Sequence, residues 1–415
     1  MKGEADQNPL VIKFGGTSVG SGAAIGRAAA IAAGAARGRP VAVVVSAMSG
    51  VTNLLLGHAS GAPDAGGAAA MALRETLAER HLRAIHEAVP PERRAEVENR
   101  VLGLLDELVE AAGRPAESVK ARRAGIAVFG ERLSAEVLAG AVAGTVAGTV
   151  AGAVANAGVA GEVVEVDPIA TDRRFDEAEV DARETEGRCS RYVVPVLERG
   201  AVAVVPGFVG RAPDGSPTTL GRGGSDLSAT VIGRALGSRE VWIMSDVDGV
   251  LDADPRLVPD AALMPRLSYH EAHTFAGLGA KILHHKTMVP AAEARMDVLV
   301  RNTFAPETPG TRISADFAGG SGVRCVALRR KVPMEIPCAS GRRSETAMVV
   351  CIGSPSEADL KLGLRLLRKA KIRFLHAGFA SAGLVFVVNG DQGEDALRLL
   401  HGSLVMADPG VEEVA

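Results

Sequence analysis

The stretch VIKFGGTSVGSG, residues 11–22, sets an apolar run and a lysine ahead of two glycines and two hydroxyl residues. A short β-branched run closed by Gly-Gly predicts a strand that ends in a turn. Gly15 and Gly16 can turn their amides toward an anion, because glycine permits the positive φ and close backbone approach that a phosphate cradle needs, and Thr17 and Ser18 add hydroxyls. Lys13 sits on the strand, however, whereas a Walker A loop carries its lysine after the last glycine. The stretch therefore predicts either a phosphate site of another design or a plain strand-to-turn glycine pair.

The pattern that begins here continues for some three hundred residues. Strands are expected at 10–14, 41–45, 161–166, 201–205, 241–244 and 297–300, and helices at 22–37, 70–89, 95–112, 134–155 and 226–236. Near-continuous apolar strands separated by helices predict an α/β fold with a mostly parallel sheet covered on both faces. The composition breaks at FAGGS, 317–321, which places a domain boundary between 1–318 and 319–415. Beyond it, a strand from VRCVALRRK, a strand at 347–352, a helix at 357–371, strands at 373–379 and 384–388 and a helix at 394–404 suit a small α+β ferredoxin-like module.

Composition narrows the partners. The 46 basic and 49 acidic residues nearly balance, and aromatics make up only 3% of the chain. That disfavours nucleic acid, which asks for a basic stripe and stacking surfaces. Cys189, Cys325, Cys338 and Cys351 form no C-x-x-C pair and fit a reducing compartment. The first residues, MKGEADQNPL, lack the apolar core of a secretory signal, so a cytoplasmic protein is expected. Segment 137–160 is uncharged and long enough to cross a bilayer, but its alanine and glycine content predicts a helix packed on a sheet instead.

Two further loops carry chemistry. TTLGRGGSDLSAT, 218–230, puts Gly221, Gly223 and Gly224 before a helix start, with Arg222 able to grip a carboxylate. Ser225 or Asp226 acting only as a helix cap is the alternative. WIMSDVDGVLDADPR places Asp246 and Asp248 after a strand, where they face a nucleotide or magnesium or simply form an Asp-Gly turn. HEAH, with His270 and His273, lacks zinc-motif spacing, and no protein-held metal site is expected.

Taken in order, KFGGTSV, VVSAMSGVTNLL, FGERLSA, TTLGRGGSD, SDVDGVLDADPR and GAKILHHKT resemble the aspartate kinases of the amino acid kinase family across nearly all of the first domain. The resemblance implies ATP, as its magnesium complex, and L-aspartate as substrates, giving 4-phospho-L-aspartate. It assigns Lys13, Phe14, Gly15 and Gly16 to the ATP phosphates, with Lys13, Gly15, Gly16 and Asp226 as the catalytic group. Ser46, Thr52, Glu131, Phe208, Arg222 and Ser225 fall to the amino-acid substrate. Glu131 would hold its ammonium, Arg222 its α-carboxylate, and Asp226 would organise the lysines. Ser245, Asp246, Leu251, Arg256 and Lys281 fall to the nucleotide. Three positions depart from the family pattern: Leu251 replaces a tyrosine, Asp176 replaces a glycine, and LHHKT replaces a leucine-histidine-proline run. A related kinase for another small carboxylate, or a weakly catalytic amino-acid sensor, are the competing readings.

Relatives end in two ACT modules, one inserted in the other. Here the resemblance implies a single ACT-like domain, the inner module being absent near 331–345. It follows as an expectation that ordinary lysine or threonine feedback is missing, and that a homodimer forms through the ACT region.

Overall fold

A computed structural model of the chain describes residues 8–61, 67–143, 159–278, 284–317, 322–332, 345–381 and 383–405. Lys281, Cys338, residues 144–158 of the alanine-rich segment, residues 318–321 of the composition break and residues 333–344 lie outside them. The chain divides into two compact units, one of 1–247 with 289–309 and the other of 248–288 with 310–415.

In the first unit, six parallel strands run in the spatial order Gly161–Val163, Val202–Pro206, Val41–Val45, Leu10–Phe14, Glu240–Ser245 and Asp297–Asn302. Leu10–Phe14, Val41–Val45 and Val202–Pro206 are buried at every position, as expected of strands covered on both faces. Their Val and Ile side chains fit that setting because branched residues pack well on a pleated surface. From Leu10–Phe14 the chain first builds the sheet to one side, through Val41–Val45, and later to the other, through Glu240–Ser245. Such a reversal opens a crevice at the carboxyl ends of the strands, where open α/β sheets bind ligands.

Helix Gly22–Ala36 starts at Ser21, whose hydroxyl accepts the Ala24 amide, and it buries Ala24, Ile25, Ala28, Ala29 and Ala32. These small side chains let it lie close against helix Phe129–Val142, which is buried over most of its length. Helix Phe129–Val142 begins five residues earlier than the pattern predicts. Among the described residues it is capped at Ala143, and the predicted continuation to 155 falls in 144–158. The strand expected at 161–166 stops at Val163, although the Val164 amide still bonds the Val204 carbonyl. Two helices, Val51–Ser60 and Val119–Ala127, and the hairpin Val209–Arg211 with Pro217–Thr219 were not predicted.

The second unit holds a parallel pair, Arg266–Ser268 with Thr311–Ser314, and an antiparallel sheet. The sheet order is Gly322–Val332, Thr346–Ser354, Gly383–Asn389 and Phe374–Ala380. Helices Glu357–Lys369 and Gly393–Leu404 supply Leu367, Leu397 and Leu400 to a core shared with Phe386 and Val349. The first of them opens with a capping box between Ser356 and Asp359. The mostly parallel α/β sheet and the small α+β module are thus both present as expected. His270 bonds the Ser381 carbonyl through Nε2 at 3.0 Å, and His273 packs edge-on against His285. Among the described residues no group of three or more His, Cys, Asp or Glu could hold a metal, and no helix is long and apolar enough to cross a membrane.

Candidate active site

The carboxyl ends of strands Leu10–Phe14 and Val41–Val45 face the start of helix Gly224–Ala235 across a cleft of about 760 Å3. Lys13, Gly16, Ser46, Thr52, Glu131, Phe208, Arg222, Ser225 and Asp226 all line it. Residues more than two hundred apart in sequence therefore share one wall.

At its floor Lys13 Nζ meets Asp226 Oδ1 at 2.5 Å, both side chains being nearly buried. The pairing settles what Asp226 does at the helix start. The helix is capped by Gly223 in the left-handed region, φ 73°, with no side chain bonded to its first amides. Asp226 stands in the first turn and gives its carboxylate to Lys13 instead. The Gly224 amide bonds the Gly221 carbonyl at 2.9 Å, and the Ser225 and Asp226 amides with the positive end of the helix dipole make a setting that favours an anion.

The glycines after Lys13 work differently from the expectation of positive φ, since neither is among the positive-φ glycines. Gly15 donates its amide to the Met244 carbonyl at 3.2 Å, tying the turn to the neighbouring strand. At Gly16 a Cβ would lie 3.0 Å from the Ala47 carbonyl oxygen, so a side chain would push apart the two loops that form the cleft. The Ser49 amide bonds the Gly16 carbonyl and the Ser46 amide bonds the Phe14 carbonyl, which fastens these loops together. The Ser134 hydroxyl, buried in helix Phe129–Val142, accepts the Met48 amide at 3.0 Å.

Glu131 projects from the first turn of that helix and is only 3% exposed. Burial pushes its carboxyl up from 4.5 to about 8, against the opposing pull of hydrogen bonds from the Ala47 amide and its own. Its Oε2 has no hydrogen-bond partner among the described residues. A buried acceptor left unmatched at the wall of a cleft fits an incoming cation.

Phe208 is held with φ at 64°, costing about 1–2 kcal/mol for a side chain of this kind. Ser228 holds it there, since its hydroxyl accepts the Phe208 amide at 2.9 Å and donates to the Gly224 carbonyl at 2.8 Å. Gly224 has no side chain because a Cβ there would come within 2.6 Å of the Phe208 ring. Asp176 also lines the cleft and pairs with Lys120 at 2.8 Å. Its φ is not positive, whereas those of its neighbours Phe175 and Glu177 are, so the backbone there does not demand glycine.

The other sequence-derived positions are placed as follows. The Phe14 side chain is fully buried in the core and does not line the cleft. Ser245 and Asp246 stand at the carboxyl end of Glu240–Ser245, the strand paired with Leu10–Phe14. Their side chains bond each other at 3.2 Å. Leu251 and Arg256 belong to the second unit, where Leu251 bridges to Leu263 and Arg256 is held by Asp254. The sequence reading missed Arg123, Glu177 and Thr219, which also line the cleft. For Arg123 the available signal was its spacing, eight residues before Glu131 along helical chain.

A family model described as the amino acid kinase family matches residues 8–302. The chain is 34% identical over 338 residues to aspartokinase 1, chloroplastic, of Arabidopsis thaliana, covering 80% of this chain and 57% of that one. It is 32% identical over 313 residues to the aspartokinase of Chlamydia muridarum, covering 75% and 65% respectively. The chain thus spans less than two thirds of the length of these relatives. The structure of Escherichia coli aspartokinase III in complex with lysine and aspartate matches 96% of this chain and 99% of that chain, with a TM-score of 0.76 at 24% identity. At that identity the likeness speaks for the fold. With the family model spanning the whole sheet of the first unit and every residue of the cleft, the chain belongs to the amino acid kinase family.

Proposed function

We propose that the protein transfers the γ-phosphoryl group of MgATP to the β-carboxylate of L-aspartate, giving 4-phospho-L-aspartate and ADP. One observation carries the reading: the Lys13–Asp226 pair shares its cleft with an unmatched buried carboxyl, Glu131, and a guanidinium, Arg222. That set complements an α-amino acid, with Glu131 receiving the ammonium and Arg222 the α-carboxylate. The family match and the aspartokinase relatives support it.

The acceptor carboxylate is already an anion and needs no base. A carboxylate oxygen bonds to the γ-phosphorus while the bond to the ADP oxygen breaks, the electron pair leaving on ADP. The protein must align the two and offset their repulsion. Lys13 supplies positive charge where negative charge accumulates, and the Ser225 and Asp226 amides at the start of helix Gly224–Ala235 add to it. We assign Gly15, Gly16, Ser245, Asp246, Leu251, Arg256 and Lys281 to the nucleotide, whose bound magnesium belongs to that substrate. An ADP-release assay over a panel of amino acids, with hydroxylamine trapping of the acyl phosphate, tests the reading. Turnover of another acid but not of aspartate would overturn it.

The same reading extends to regulation. Strands Gly322–Val332 and Thr346–Ser354 are antiparallel neighbours joined by residues 333–345, too short a connection to hold a second folded domain. Ordinary inhibition by lysine or threonine is therefore expected to be missing, and strong inhibition by either at millimolar concentration in that assay would refute it. Strand Phe374–Ala380, at the edge of the sheet with Phe379 53% exposed, is read as the surface through which two copies pair.

Ser228 offers a graded check on the acceptor side. Ser228→Ala frees Phe208 from its strained position and should raise the aspartate KM about 3–10-fold, the worth of one neutral hydrogen bond, with the ATP KM unchanged. Equal changes in both constants would mean that Ser228 supports the fold and not Phe208.

A further inference from the structure

We propose that Arg123 is a second carboxylate-gripping residue of the acceptor cleft, reading the side-chain carboxylate and making the site selective for amino acids that carry two. The inference rests on the proposed function and adds a residue to its site.

Arg123 lies on helix Val119–Ala127 and lines the same cleft as Lys13, Glu131 and Arg222. Val128 joins that helix to Phe129–Val142 with helical dihedrals, φ −59° and ψ −22°. Arg123 and Glu131 are thus little more than two turns apart, roughly 12 Å along the axis, on one face. Both side chains nevertheless line the one cleft.

What distinguishes Arg123 from Arg122 is its place at the cleft, since Arg122 also has buried donors, Nε and Nη2, without a hydrogen-bond partner among the described residues. Lys120 is engaged by Asp176 at 2.8 Å. Arg122 does not line the cleft, and its Nη1 donates to the Ala112 carbonyl at 3.2 Å. The Nε of Arg123 is shielded from solvent and has no hydrogen-bond partner among the described residues. A guanidinium has five donors and no way to shed its charge, so a buried donor without an acceptor calls for an explanation.

Four carboxyls share the cleft, and of these the exposed Glu177 makes no ion pair with Arg123 or Arg222 among the described residues. Asp226 is committed to Lys13 and Asp176 to Lys120. Glu131 holds its proton more tightly than an exposed carboxyl because of its burial. The cleft therefore presents two guanidiniums, at Arg123 and Arg222, beside the buried Glu131 carboxyl that would take the ammonium, while Glu177 is exposed to solvent. An amino acid with a single carboxylate would leave one guanidinium unmatched. An acidic amino acid matches both.

The test compares wild type, Arg123→Lys and Arg123→Ala, with melting followed by circular dichroism to confirm folding. Wild-type turnover of L-aspartate is scored first and decides the proposed function separately. Given turnover, Arg123→Ala is expected to raise the aspartate KM about 10–100-fold with the ATP KM within about twofold, the loss of a charged hydrogen-bond pair, and Arg123→Lys to recover part of it. An aspartate KM within about twofold of wild type, or parallel rises in both constants, would overturn the inference. If wild type does not turn over aspartate, thermal-shift titration with L-aspartate and with succinate replaces the kinetics. Stabilisation of wild type that is lost in Arg123→Ala then supports the role, and equal responses, including none, overturn it.

Discussion

Glu131→Gln is expected to make the ligand-free protein more stable at pH 8 while removing its hold on the acceptor. Glu131 is buried and its carboxyl titrates near 8 in the folded chain against 4.5 when exposed. Between those two values the unfolded chain has lost a proton that the folded chain keeps, so stability falls as pH rises. At about 1.4 kcal/mol per unit the deficit accumulated by pH 8 is on the order of 4 kcal/mol. Glutamine keeps the shape and the acceptor oxygen but cannot ionise, so the variant escapes that loss. Thermal melts should show wild type and variant alike near pH 5 and the variant higher by roughly 8 °C at pH 8. The ammonium of the acceptor would favour the ionised form, so binding should release a proton and the aspartate KM should fall as pH rises from 6 towards 8. A pH-independent melting difference, or a variant that binds aspartate as wild type does, would contradict the assignment. The group that weakens the empty protein is then the one that recognises the acceptor, a stability cost accepted at a functional site.

How far the sequence discloses this site depends on where each contribution comes from. Local patterns locate the strands, because Leu10–Phe14 and Val41–Val45 are uninterrupted apolar runs buried on both faces. They also mark the glycine loops, since Gly223 needs φ at 73° and Gly16 needs the space beside Ala47. Helix Val51–Ser60 is hidden because VTNLLLGHAS opens on two β-branched residues and contains a glycine, so propensity argues against it. What holds it is burial of Val51, Leu55 and Ala59 in the core.

Partnership is the least legible property. Within KARRAG only the eight-residue spacing to Glu131 sets Arg123, which lines the cleft, apart from Lys120 and Arg122, which are engaged elsewhere. Likewise nothing near Asp226 in sequence says that it will forgo capping its own helix for a lysine 213 positions away. Both facts arise only when the sheet brings the loops together.

The Lys13–Asp226 pair yields the second large effect, and a double-mutant cycle separates two roles for the carboxylate. If Asp226 acts by holding Lys13 against the phosphoryl group, Asp226→Asn should lower kcat about 10²–10³-fold, the usual loss for one preorganised electrostatic partner. Lys13→Met should cost at least as much, and the double variant no more than Lys13→Met alone, because the second change removes an interaction already gone. An Asp226 that took a proton from the acceptor would behave otherwise. Its loss would add to that of Lys13 and would erase an acid limb from the pH–rate profile. The 2.5 Å contact and the chemistry of an acceptor that carries no proton at neutral pH both favour the first outcome. Additive losses together with a vanished acid limb would transfer Asp226 from organiser to base. Because Lys13 and Asp226 are nearly buried, removing one leaves the other partly uncompensated, so melting of each single variant must accompany the rates. Asn at 226 retains a polar head for Lys13, which makes it the cleaner of the two single changes.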